Sequence, residues 1–367
     1  MFSFTRCSTI FFLLLSLSGA ARQRLSEKLF TAPPRYTVLR VGDSLQIDGL
    51  AGEKAWEKAA WINDFSNITG LGLAPKGETR AKMLWNDQYL YLYIELKEKN
   101  LWATIKQHDV AVYRENALEI FVDPDGDNQH YMEFQINALG TVWDLLLTRP
   151  YRNGGWSISD WDIKGLKKAV HLRGSINQPD DRDEGWSVEL AFPLKSIALG
   201  SGRRLRSGTV WRMNLSRVAW PLEVKDGRYV KKMNTKGVAN EPDYWVWAPQ
   251  GTVNLHMPER WGYLLFADED GHAAASAEAR LDSLDRAQPL VWKVYYLQEA
   301  YKRIHGHFAQ QLTDLKRAFP LEDIPMDPAL AMDVCSTQLW IAYAPYPNKL
   351  LIAVNQEGKV FYEWPER

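Results

Sequence analysis

From Thr37 to about Phe266, hydrophobic and polar positions alternate in short runs, the period-2 pattern of strands that bury one face. Ala81–Trp85 (AKMLW) and Tyr89–Leu96 (YLYLYIEL) flank Asn86-Asp87-Gln88 and read as a hairpin. Leu118–Val122 (LEIFV) and Tyr131–Asn137 (YMEFQIN) flank the turn-forming run Asp123-Pro124-Asp125-Gly126-Asp127-Asn128. Further strands are expected at 142–147, 169–173, 186–191, 210–218, 244–247 and 261–266. Many short strands with turns between them and no alternating helices predict a mainly β protein. Its architecture is expected to be an antiparallel, jelly-roll-like β-sandwich over residues 37–270.

The period changes after Asp270-Gly271. A stretch rich in Ala, Glu and Arg fills 273–288, and Pro289 is expected to open a helix. In that helix Leu290, Val294, Leu297, Tyr301 and Ile304 follow at spacings of 4, 3, 4 and 3, one apolar stripe. His305-Gly306-His307 interrupts it, and Phe308, Leu312 and Leu315 resume helical spacing. Past a Pro-rich segment at 320–328, Thr337–Ala344 and Leu350–Tyr362 read as strands joined through Pro345, Pro347 and Asn348. Residues 271–367 are thus expected to form a small α+β region, helix plus β-hairpin.

The N-terminus carries a different signal. Arg6, the apolar run Ile10–Leu17 (IFFLLLSL) and the small residues Ser18 to Ala21 match a secretory signal peptide over 1–21. Cleavage is expected near Ala20 or Ala21, followed by a polar leader at 22–36. A membrane helix needs about 20 apolar residues, and this run falls short. The reading is an exported protein, secreted or periplasmic, with no membrane span. Of two cysteines only Cys335 outlasts cleavage, so no internal disulfide is expected.

Charge narrows the partners. The 367 residues hold 44 Lys+Arg against 45 Asp+Glu, a net of −1 that lacks the basic excess of a nucleic-acid binder. The chain is instead rich in large aromatic rings, with 16 Trp and 16 Tyr supplying flat apolar surface with polar edges.

Alternation also sorts the polar residues. Leu118, Ile120 and Val122 oppose Glu119 and Phe121; Met132, Phe134 and Ile136 oppose Glu133, Gln135 and Asn137. Trp186, Val188 and Leu190 oppose Ser187 and Glu189, and Met213 and Leu215 oppose Asn214 and Ser216. One sheet would then carry carboxylates and amides on its outer face. That face is either simply solvated or suited to sugars, which need rings to stack on and polar pairs for their hydroxyls.

The segments IDG…AW (Ile47 to Trp56), AKMLWNDQYLYLYIEL (81–96), ENALEIFVDPDGDN (115–128), YMEFQINALG (131–140), GWSVELAFP (185–193) and WRMNLSR (211–217) together resemble the family 9 carbohydrate-binding modules and their relatives. The resemblance covers roughly 37–266 and keeps the order of motifs throughout. It implies a β-sandwich that grips the end of a sugar chain between two aromatic rings. By position, the first ring falls on Tyr113, where the family normally has Trp. The hydrogen-bonding positions fall on Glu119, Gln135, Asn137 and Ser216, with Gln135 replacing an arginine-like group. The second ring belongs in the loop before Trp261, where His256 has the only ring; Trp156 or Trp161 are the substitutes. A structural calcium would also follow from the resemblance, without assigned ligands. The ligand implied is an oligo- or polysaccharide, bound without catalysis in support of its breakdown.

Other chemistries have weaker signals. Asp123, Asp125 and Asp127 alternate as in an EF-hand, but its twelfth position is Phe134, so a hairpin turn is expected and no metal ligand is assigned. Glu119, Glu133 and Glu189 could supply a carboxylate pair for glycoside hydrolysis, whose spacing sequence does not give. No G-x-S-x-G, H-E-x-x-H, C-x-x-C or phosphate-binding loop occurs. His305 and His307 fit a helix end better than a metal site. The related haem-binding sandwiches raise a second alternative, with Met132, Met213, His130 and His256 as axial ligands, and no C-x-x-C-H for covalent haem.

Overall fold

The structure, a computed structural model, describes residues 24–362 apart from 73, 74, 76, 200–204, 274 and 346–350. The signal-like segment and the proposed junction at Pro347 and Asn348 lie outside the described residues.

The chain passes through a 3-10 turn, Glu27–Phe30, into strand β1 (Arg35–Arg40), which starts two residues before the expected Thr37. A short helix α1 (Ala55–Lys58) and strand β2 (Ser66–Asn67) precede the hairpin of β3 (Thr79–Trp85) and β4 (Tyr89–Lys97). The second hairpin joins β5 (Ala117–Asp123) to β6 (Tyr131–Ile136), with β7 (Val142–Leu147) and β8 (Ser157–Ile158) following. Strands β9 (Lys167–Arg173) and β10 (Gly185–Pro193) lead through α2 (Leu194–Ile197) to β11 (Val210–Ala219). A small hairpin of β12 (Leu222–Lys225) and β13 (Arg228–Lys231), then β14 (Asp243–Val246) and β15 (Gly262–Phe266), complete the sandwich.

One layer runs β8-β7-β6-β5-β11-β15 and the other β3-β4-β10-β9. Strand β1 belongs to both. Its residues Arg35 to Val38 pair with β15, and Leu39 and Arg40 pair with β3, so the chain switches layers at a corner. Both pairings are parallel, while the neighbouring strands within each layer are antiparallel. Between the layers pack Leu118, Ile120, Phe134 and Ile136 from one side and Met83, Ile94, Trp186 and Leu190 from the other. Each is the inward member of its alternating strand, which is why this register is the one adopted.

The outer face of the second layer is capped by the segment around α1, with Trp56 packed on Leu84, Tyr91 and Tyr93. Glu189 fastens that cap. Its carboxylate accepts from the Asp48 and Gly49 backbone amides at 2.9 and 3.1 Å and from Trp56 Nε1 at 3.2 Å.

The C-terminal region departs from expectation in two ways. The helix α3 spans Ala275–His305, so it starts before Pro289 and carries that proline inside. Proline removes only its own hydrogen bond to the preceding turn, and Ala287, Gln288, Val291 and Trp292 are buried on either side. Packing holds the helix through the break. The buried stripe is therefore Leu281, Leu284, Val291, Val294, Tyr295 and Leu297, while the expected member Ile304 is 44% exposed. Gly306, with φ of 80°, ends α3 before the short helix α4 (Leu312–Ala318).

Four strands, rather than two, form the second sheet: β16 (Leu330–Cys335), β17 (Gln338–Tyr343), β18 (Ile352–Asn355) and β19 (Val360–Tyr362). Helix α3 packs on it through Val294, Leu297, Ile341 and Val354, and Tyr263 of the sandwich joins the same apolar cluster. Polar links reinforce this junction. Arg35 of β1 pairs with Asp282 and Asp285 of α3 at 2.8 and 2.5 Å, and the Val360 amide donates to the Asp127 carbonyl at 2.9 Å.

Among the described residues no helix is long and apolar enough to cross a membrane.

Candidate functional site

Strands β5, β6 and β11 lie side by side, and their registers align the outward residues. Glu119 pairs with Gln135 on one side and with Ser216 on the other, and Phe121 pairs with Glu133. The face is not solvated. Glu119 is 3% and Glu133 5% exposed, and Gln135 and Ser216 are buried as well.

Gln135 organises the cluster. Its Nε2 donates to Glu133 Oε1 at 2.6 Å and to Glu119 Oε1 at 3.3 Å, while its Oε1 accepts from the Tyr113 backbone amide at 2.8 Å. Two carboxylates over one amide fix which way the amide points, since only the NH2 end can donate to both. Burial raises the Glu119 carboxyl well above its ordinary value, and the nearby Glu133 charge adds to the rise. Burial also raises Glu133, to about 7, with the Gln135 hydrogen bond opposing. Ser216 faces Glu119 and favours its charged form.

Rings surround this floor. Tyr113 and Trp143 stack with centroids 6.3 Å apart and planes 30° from parallel. Trp220 Nε1 donates to the Tyr113 carbonyl at 2.9 Å, and Tyr244 packs in the same half-buried group. At the other end His256 lies against Tyr151, with centroids 4.6 Å apart, and against Phe121 at 5.6 Å. Burial, with Arg152 nearby, lowers His256 to about 3, so its ring is neutral at pH 7. Its approach to Glu133 Oε2 at 3.8 Å is therefore not an ion pair.

The structure thus gathers five of the six sequence-selected residues: Tyr113, Glu119, Gln135, Ser216 and His256. Asn137 stands apart. Its Nδ2 donates to Glu115 Oε1 at 2.6 Å and to the Ile105 carbonyl at 2.9 Å, and its Oδ1 accepts from the Leu139 and Thr141 amides. All of its hydrogen-bonding capacity secures loops. Of the substitute rings, Trp161 is packed against the main core, whereas Trp156 is 61% exposed.

Trp143 and Tyr244 were not among the sequence-selected residues. The alternation of VWDLLL places Trp143 on the face of Leu145 and Leu147, a signal that would have found the first of them.

The other chemistries resolve differently. Glu189 lies on the outer face of the opposite layer, with its oxygens engaged by the cap, so it forms no pair with Glu119 or Glu133. Met132 and Met213 are sealed in the core, and His130 is exposed on a turn. These side chains do not converge with His256 on a haem pocket.

Asp123, Asp125 and Asp127 do come together, their carboxylate oxygens within 4.8 Å of one another. They serve a hairpin turn, with Asp123 accepting from the Gly126 and Asn128 amides at 2.9 Å each. Lys359 of the second sheet pairs with Asp127 at 3.0 Å.

A two-layer sandwich with a polar cluster beneath aromatic rings on one outer face defines the class of β-sandwich modules. Residues 47–208 match the model of the carbohydrate family 9 binding domain-like family. The chain is similar to an exoglucanase XynX of Acetivibrio thermocellus, 30% identical over 156 residues, which are 42% of this chain and 12% of that protein. It is also similar to an endo-1,4-beta-xylanase A of Thermoanaerobacterium saccharolyticum, 28% identical over 131 residues, 35% of this chain and 10% of that one. The chain thus spans about a tenth of the length of these curated relatives. Among solved structures, a family 9 carbohydrate-binding module from Caldicellulosiruptor kristjanssonii in complex with cellotriose aligns at a TM-score of 0.41. It shares 17% identity and covers 64% of this chain and 94% of its own.

Proposed function

We propose that this protein binds carbohydrate without catalysis on the β5–β6–β11 face, as an exported protein that supports polysaccharide breakdown. The observation that carries the reading is the Gln135 bridge between Glu119 and Glu133 beneath the Tyr113–Trp143 ring pair. The half-buried rings offer sugar faces an apolar surface, and the buried polar floor beneath them holds the Tyr113 backbone in place through Gln135. Ser216 and His256 extend the polar and aromatic surroundings. The family of the sandwich supports a sugar ligand, and the named activities of the two relatives support a polysaccharide context. Export rests on the pattern of residues 1–21.

A second reading is glycoside hydrolysis by the Glu119–Glu133 pair, favoured by the raised pKa of both groups, which suits a general acid. Against it, one amide holds both carboxylates, and burial leaves little room for a water between them and a glycosidic bond. The test is retention of the purified protein on insoluble polysaccharides, with reducing ends assayed in the same tubes. Retention without new reducing ends is expected. New reducing ends that vanish in Glu133→Gln would establish the hydrolase, and no retention on any polysaccharide would remove both readings.

A further inference from the structure

The loop before Tyr113, strand β7 and the segment after β8 bring His108, Asp109, Asp144 and Asp162 to one point. One donor atom from each lies within 4.8 Å of all the others. His108 Nε2 stands 2.8 Å from Asp162 Oδ1, 3.4 Å from Asp109 Oδ1 and 4.0 Å from Asp144 Oδ1.

Asp144 is the residue that needs explaining. It sits on the core-facing side of β7, in the row of Val142 and opposite Phe134, and is 2% exposed. Its Oδ2 accepts from the Ile163 amide at 2.5 Å. Its Oδ1 is buried, has no hydrogen-bond partner and is directed at the His108 ring. A buried carboxylate oxygen without a partner has lost its hydration and gained nothing in return. Such an atom calls for a cation.

The imidazole is already oriented as a ligand. His108 Nδ1 lies 3.0 Å from the Val142 carbonyl, which can only accept, so Nδ1 carries the proton. That leaves Nε2 facing the three carboxylates. A second proton on Nε2 would satisfy Asp162 alone and leave Asp144 Oδ1 bare. A divalent ion at the centre would serve all four atoms. In a tetrahedral zinc site with bonds of about 2.0–2.1 Å, ligand atoms stand about 3.4 Å apart. The three distances from Nε2 scatter around that value. The carbonyl behind the imidazole matches the outer-shell partner that metal-bound histidines use.

We propose that His108, Asp109, Asp144 and Asp162 form a binding site for a divalent transition-metal ion of the zinc class. Nitrogen among the donors and the four-atom set favour zinc over calcium, which takes six to eight oxygens. The ion would staple the 105–114 segment and the 159–163 segment to β7. The site is separate from the proposed sugar face, and its existence does not depend on that reading.

The full-length mature protein, stripped by chelator and dialysed, would be titrated calorimetrically with zinc chloride and separately with calcium chloride. One equivalent of zinc is expected, bound at least about tenfold more tightly than calcium. His108→Ala and Asp144→Asn should each weaken zinc at least about tenfold. Asp125→Asn, in the turn cluster paired with Lys359, should leave zinc binding within about twofold. Circular dichroism and melting of each variant separate loss of ligand from loss of fold. His108 is half exposed, and Asn at 144 keeps an acceptor for Ile163, so both variants are expected to fold. No saturable zinc uptake by the folded protein would overturn the proposal. So would tighter calcium binding, or zinc binding unchanged in folded His108→Ala.

Discussion

Gln135 donates its side-chain amide to Glu133, two residues back on the same strand, across 2.6 Å. That contact places an amide between two buried carboxylates, and Glu119 completes the group from the next strand. The consequences of burying acids in this way are measurable.

Glu133 has a folded-state value raised from 4.5 to about 7, so the native state holds its proton more tightly than the unfolded chain does. Its contribution to stability is full below about pH 4.5 and is lost as pH rises through about 7. Glu133→Gln removes the ionisable group while keeping an acceptor for Gln135. The variant should flatten the fall in melting temperature between pH 4.5 and 7, and be the more stable protein at pH 8 by roughly 1–3 kcal/mol. Parallel thermal melts of both proteins across that range would check it. A variant slope equal to that of the wild type would contradict this assignment.

Arg152 and Glu259 form a partly buried ion pair at 2.9 Å, and Tyr296 of α3 donates to the same carboxylate at 2.6 Å. Arg152→Ala leaves Glu259 buried against neutral donors, the Tyr296 hydroxyl and the Asn128 side-chain amide at 3.4 Å. A loss of roughly 2–4 kcal/mol is expected in denaturant unfolding. Arg152→Lys should recover part of it.

The C-terminal region is predicted to be required by the sandwich rather than appended to it. Tyr263 is buried among residues of α3 and the second sheet, and Arg35 is held by Asp282 and Asp285. A chain ending at Asp270 should therefore expose apolar surface and aggregate or melt well below the full-length protein. Gel filtration and a melting curve would decide, and a monomer of undiminished melting temperature would refute the coupling.

Sandwich strands were legible because each buries one side, and period-2 alternation reports that directly. Which neighbour a strand pairs with leaves no such mark: Arg35 to Arg40 alternates the same way in parallel as in antiparallel company. Pro289 misled because local propensity stops a helix where packing by Val291 and Trp292 carries it on. Strand β16 went unread between a Pro-rich segment and a tight turn at Ser336, although Leu330, Met332 and Val334 do alternate. At the site, Glu119, Gln135 and Ser216 were readable from strand alternation and from the resemblance. Burial was not, since it depends on what covers the face: Trp143 lies beside Gln135 on the next strand, but Tyr244 and the loop carrying His256 arrive from distant sequence.

The most direct test is calorimetric titration of the protein with a panel of gluco- and xylo-oligosaccharides, alongside Tyr113→Ala and Gln135→Leu. Saturable binding in the wild type, weakened at least about tenfold in both folded variants, is the predicted result. Absence of binding across the panel by the folded protein, or binding that both variants retain in full, would contradict a sugar site on the β5–β6–β11 face.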